Sequence, residues 1–173
     1  MSLFDDVVSA GKGFVVKELA KKVGLSDDMA KTALSLIVPA LSKGLDRNSS
    51  DRSGLESLLG VIQSGSHREY VDDPETLGNS ETVEDGNAIL GHIFGSKDIS
   101  RQVAGFVSER TGIDADTIKK LLPVTAAATL GTIEKEEEST AGSSSAGIDI
   151  RKILGTEKDP VLDGIISLAG KLF

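Results

Sequence analysis

The chain has 173 residues, 39% of them apolar and 3% aromatic, with a formal net charge of −8 and no cysteine. That length fits one domain with room for a tail, its core filled by Leu, Ile, Val and Ala. The missing cysteine excludes disulfides and thiolate metal sites, and the excess of acid argues against general nucleic-acid binding. No apolar run approaches the roughly 18–20 residues of a membrane span, so no membrane partner is expected. Asp5 and Asp6 stand where a signal peptide would carry Lys or Arg, and the expected location is the cytoplasm. The charge is uneven: residues 64–85 hold seven acids against Arg68, and residues 134–149 hold five against Lys135. The remainder is near neutral, so the acidity is expected in connections.

Residues 3–23 read as helix with a soft middle. Leu3, Phe4, Val7 and Val8 form one stripe, Phe14, Val15, Leu19 and Val23 resume it, and Gly11 and Gly13 predict a break between them. Gly24 closes the helix and Ser26 caps the next, whose apolar positions are Met29, Ala33, Leu34, Ile37, Leu41 and Leu45, with Pro39 inside. Leu55, Leu58, Leu59 and Ile62 predict a third helix. Residues 64–84 read as a long acidic connection, with one short turn at Asp73-Pro74-Glu75 where Pro takes the first helical position.

The densest apolar patch bounded by glycines follows, and it reads as a short central helix. Asp85 is its expected N-cap and Gly95 its left-handed terminator. Ile89, Leu90, Ile93 and Phe94 share one face, forming a buried pivot. Gly86 and Gly91 would let neighbouring helices approach, and His92 reads as a histidine hydrogen-bonded beside the core.

Asp98 is expected to cap a helix with Ile99, Val103, Phe106 and Val107 inside, ended by Gly112. Asp114 then caps a long helix with Ile118, Leu121, Leu122 and Leu130 inside and Pro123 within it. Residues 134–149 read as a charged, then Ser-rich, flexible linker between a helical domain over 1–133 and a terminal amphipathic helix over 150–173. No segment alternates with period two. The expected fold is therefore all-α: a compact bundle of six or seven helices with the amphipathic helix tethered to it.

Two echoes suggest pseudo-repeated helix-turn-helix units. Lys22-Val23-Gly24-Leu25-Ser26-Asp27-Asp28 parallels Arg110-Thr111-Gly112-Ile113-Asp114-Ala115-Asp116, and each precedes a long apolar helix containing proline. Leu3 to Ser9 likewise parallels Val161 to Ser167.

Gly86-Asn87-Ala88-Ile89-Leu90-Gly91-His92-Ile93-Phe94-Gly95, then Ile99-Ser100-Arg101, Thr111-Gly112-Ile113 and Leu121-Leu122-Pro123, resemble the bacterial domain-of-unknown-function family numbered 937. The resemblance covers residues from about 15 to 135. It implies a small helical bacterial protein, distantly YidB-like, with no assigned activity and no catalytic residue to carry over.

The motifs for chemistry are weak. Gly91 to Lys97 has neither the spacing nor the preceding strand of a phosphate loop. His67 lies near Glu69, Asp72 and Asp73, but a solvated acidic loop seldom converges on a cation. No Gly-x-Ser-x-Gly elbow supports a nucleophile. We therefore expect no enzyme, no catalytic, cofactor or metal residues, and no small-molecule substrate. The expected role is a protein-interaction or scaffold module with a protein partner or a second copy. Its contact would be the apolar face Val161, Leu162, Ile165, Ile166, Leu168, Leu172 and Phe173. The alternative is a helix-turn-helix DNA-binding regulator, with Lys119 and Lys120 facing phosphate.

Overall fold

A computed structural model of the chain describes residues 3–49 and 67–140, together with Ser53, Glu56, Ser57 and Gly60 between them. The described residues are helical throughout, joined by short turns, and contain no strand, which makes the fold all-α. In chain order they form α1 (Leu3–Ser9), a 3₁₀ turn (Ala10–Gly13), α2 (Phe14–Val23) and α3 (Asp27–Ser49). After the gap come α4 (Glu69–Asp72), a second 3₁₀ turn (Pro74–Gly78), α5 (Ser80–Phe94), α6 (Lys97–Thr111) and α7 (Ala115–Thr140). The four isolated residues are also helical and fall in or beside the expected third helix, but Leu55, Leu58, Leu59 and Ile62 lie outside the described residues. So do the whole of 150–173 and its seven contact residues from Val161 to Phe173.

The break at the two glycines is real. Gly11, Lys12 and Gly13 all take positive φ, at 56°, 59° and 85°, so the chain makes a left-handed turn between α1 and α2. Leu3 and Val7 on one side and Val15, Val16, Leu19 and Ala20 on the other still reach the same core. Phe14 departs from the expected stripe. It sits at the stripe's edge directly after the turn and is 54% exposed. Met29 likewise lies on the edge of the α3 stripe and is exposed, whereas Ala33, Leu34, Ile37, Leu41 and Leu45 are buried.

Gly24 and Gly112 both end their helices in the left-handed conformation, at φ 73° and 75°. Ser26 Oγ then accepts from the Met29 N–H at 3.2 Å, and Asp114 Oδ2 accepts from the N–H groups of Asp116 and Thr117 at 3.1 and 3.4 Å. Each cap satisfies donors that the first helical turn leaves unpaired. Pro74 begins the second 3₁₀ turn as expected. Two starts differ from expectation. Ser96, not Asp98, caps α6, its Oγ taking the Ile99 N–H, while Asp98 sits in the first turn and pairs with Arg101 at 3.1 Å. α5 begins five residues before Asp85, at Ser80. The acids Glu81, Glu84 and Asp85 are thus helical, and those nearest the start oppose the positive helix end. Thr82, buried at the junction, donates to the Thr76 carbonyl at 2.5 Å.

α7, rather than α5, is the organising helix. Every residue from Leu121 to Ile133 is buried, so the helix is apolar all round and enclosed by its neighbours. Ala, Thr and Gly occupy much of that run, and their small side chains let the surrounding helices come close. Thr129 and Thr132 donate back to the carbonyls of Thr125 and Ala128 at 2.7 and 2.8 Å, which satisfies two buried hydroxyls. Thr125 Oγ1, on a residue with 0% exposure, has no partner. Thr125→Val is therefore expected to leave stability unchanged or raise it by up to about 1 kcal/mol, read as a higher thermal midpoint.

α5 and α7 form the most extensive interface in the described fold. Ile89, Leu90, Ile93 and Phe94 are buried as expected, Ile93 and Phe94 against Gly44 of α3, and Gly95 takes positive φ to end the helix. Gly86 lies directly on the Pro123 backbone, where a Cβ would collide with the carbonyl. Gly91 and His92 are different. They share the solvent face of α5 with Asn87, Ala88 and Gly95, so Gly91 admits no neighbour and His92 is exposed instead of beside the core.

α7 also continues through Thr140, past the boundary at 133 where the linker was expected. Glu and Lys are good helix formers, and the first two residues beyond the boundary are anchored, as described next.

Candidate functional site

His67 was expected in a solvated loop. It is instead 3% exposed, and it forms the centre of a buried polar cluster. α7 supplies the first carboxylate: Glu134 Oε1 lies 2.6 Å from His67 Nδ1. Its other oxygen, Oε2, accepts the Arg68 N–H at 2.9 Å, so Glu134 grips both a side chain and the backbone just before α4. α5 supplies the second: Asp85 Oδ2 lies 3.4 Å from His67 Nε2 and also accepts the Tyr70 O–H at 2.8 Å. Gly131 makes the approach possible, because a Cβ there would strike the His67 carbonyl.

The electrostatics follow from this placement. Burial pulls the His67 pKa down. The hydrogen bond and charge of Glu134, joined by Asp85, more than offset it and hold the pKa above the ordinary 6.5. Burial, with the hydrogen bond to Asp85, pushes the Tyr70 hydroxyl up to about 12, so it remains a donor. A second ion cluster adjoins the first at the surface. Asp72 receives Lys135 Nζ at 2.9 Å and Arg68 Nε at 2.8 Å. The Lys135 hydrogen bond leads in holding the Asp72 carboxyl below its usual range, against the opposing effect of burial and with Arg68 adding to it. Neighbouring residues of α7 thus fasten opposite ends of α4: Glu134 its start, and Lys135 its end.

Beside this cluster a groove of about 610 Å³ opens to solvent. The left-handed turn contributes Ala10 and Lys12 to it, α2 contributes Phe14, α4 and the following turn contribute Val71, Asp72 and Pro74, and α7 contributes Lys135. Gly11 seats the turn against α4, with a Cβ position only 3.0 Å from the Pro74 ring and the Val71 carbonyl. The groove walls are largely apolar with charges at the rim, and Lys17 lies over the exposed Phe14 ring at 5.2 Å. His67 is not among the lining residues.

Neither carboxylate that holds His67 is legible in the sequence as its partner: Glu134 reads as linker and Asp85 as a cap, and Tyr70 and Lys12 carry no signal. Lys119, considered for phosphate contact, pairs with Asp116 at 3.1 Å on the solvent face of α7. Among the described residues, no group of three or more His, Asp or Glu is arranged to hold a metal ion, and no helix is long and apolar enough to cross a membrane.

An all-α bundle wrapped around a buried helix, with an ion-locked short helix beside an open groove, defines the class of protein. The chain belongs to the family of bacterial proteins of unknown function designated DUF937, which matches residues 5–136. That span begins about ten residues before the expected one and takes in α1 from Asp5 onward and the left-handed turn. No curated protein and no solved structure matches the chain.

Proposed function

We propose that the protein is a non-enzymatic interaction or scaffold module of the cytoplasm. In this reading its groove receives the apolar face Val161, Leu162, Ile165, Ile166, Leu168, Leu172 and Phe173 from a second copy. The observation that carries it is the open, apolar-walled groove with Phe14 at 54% exposure on its edge. One feature of the sequence supports the choice of occupant: residues 161–173 hold apolar side chains at helical spacing, the pattern that docks into grooves.

Light scattering on the full chain across a concentration series tests the reading. Self-association is expected, and both Phe14→Asp and the double substitution Ile165→Asp/Ile166→Asp should abolish it. Phe14 is exposed, so its replacement leaves the core intact. A full chain that stays monomeric at every concentration, with the Ile165/Ile166 variant losing thermal stability, would place that segment on its own bundle and end the interaction reading.

A further inference from the structure

We infer that His67 is a proton-operated latch: its imidazolium, held between Glu134 of α7 and Asp85 of α5, tightens the hold of the bundle on α4, and losing the proton loosens the α4 wall of the groove. This goes beyond the interaction reading and does not depend on what the groove binds.

The argument begins with the two ring nitrogens. Nδ1, 2.6 Å from Glu134, keeps its hydrogen in either charge state, because a carboxylate can only accept. The titrating proton is therefore the one on Nε2, which faces Asp85 Oδ2 at 3.4 Å. When it is present, one cation lies between two anions. When it leaves, the Nε2 lone pair faces a carboxylate, and two negative side chains flank a neutral ring that is 3% exposed. The Asp85 side chain is 37% exposed, so water reaches the latch from that side and can take the proton.

The groups facing the ring come from each packed element: Glu134 from α7, Asp85 from α5 and Tyr70 from α4. Arg68, Asp72 and Lys135 form the adjoining cluster, and Glu69 acts on Tyr70 through its charge. Tyr70 stays protonated across the neutral range, and its O–H holds Asp85 but cannot replace the lost N–H. Asp72, held below the usual carboxylate range by Lys135 and Arg68, stays ionised there. The folded-state pKa of His67 is raised above 6.5. The stability it contributes is therefore complete below about 6.5 and is lost as pH rises through the folded value. Because α4 carries Val71 and Asp72, its loosening alters the groove wall directly.

The full chain contains only two histidines, His67 and His92, so NMR resolves them. The imidazole of His67 is expected to titrate with a midpoint above 6.5, assigned by its loss in His67→Gln. The amides of Tyr70, Val71 and Asp72 should shift with the same midpoint. Asp85→Asn keeps the Tyr70 acceptor and should lower the midpoint by about one pH unit. In His67→Gln the α4 amides should no longer move between pH 6 and 8. A His67 midpoint at or below 6.5, or α4 amides that do not follow it in the wild-type chain, would overturn the latch. Light scattering plays no part in this test, so the latch and the interaction reading can fail separately.

Discussion

Replacing Gly86 by alanine should lower stability by about 3 kcal/mol, a fall of roughly 6–12 °C in thermal midpoint for a chain of this size. The added methyl would meet the Pro123 carbonyl, its carbon and its Cα, all of them backbone atoms. No side chain can turn aside, so α5 must move off α7 across the most extensive interface of the fold. Gly91→Ala, five residues on, is the control. No atom of another element lies within 4 Å of its Cβ position and the residue is exposed, so alanine should gain about 0.5–1 kcal/mol from helix propensity alone. Denaturant melts of the two single variants would show opposite signs. Equal effects would mean that the α5–α7 approach is looser than described.

Glu134→Ala should cost about 3 kcal/mol near pH 6.5, toward the low end for a broken buried ion pair because Glu134 keeps 12% side-chain exposure. The variant strands two donors at once, the His67 Nδ1–H and the Arg68 N–H. The buried ring also loses its nearest counter-charge, so its pKa should fall. Glu134→Gln retains an acceptor for one donor and should lose less. The comparison, read by circular dichroism melts at pH 6 and 8, separates hydrogen bonding from charge: only the charge component should shrink as pH rises and His67 gives up its proton.

Local signals were legible wherever a residue acts on its own backbone. Gly24, Gly95 and Gly112 end helices because each must take positive φ there, and Ser26 and Asp114 cap because their side-chain oxygens reach N–H groups two or three residues on. The buried stripe of α5 followed from 3.6-residue spacing. What remained hidden depends on residues distant in sequence. His67 and Glu134 are 67 positions apart, and His67 and Asp85 lie on different elements. An acidic stretch looks solvated until a histidine from the same stretch is found buried against two of the chain's acids. The centrality of α7 was hidden for a different reason. Thr125, Ala126, Ala127, Ala128, Thr129 and Gly131 lack a sharp apolar stripe because every face of that helix is enclosed, and a helix without a polar side has no amphipathic period to detect.

The position of α7 late in the chain also sets the order in which the protein can be completed during synthesis. The helices before it, through Thr111, present apolar faces whose partner is not yet made. At a translation rate of about 5–20 residues per second, the 26 residues of α7 take roughly 1–5 seconds to add. Throughout that interval the nascent chain holds the shell of a bundle without its filling. A ribosome stalled before Leu121 therefore leaves a sticky, unfinished chain, a natural client for holding chaperones.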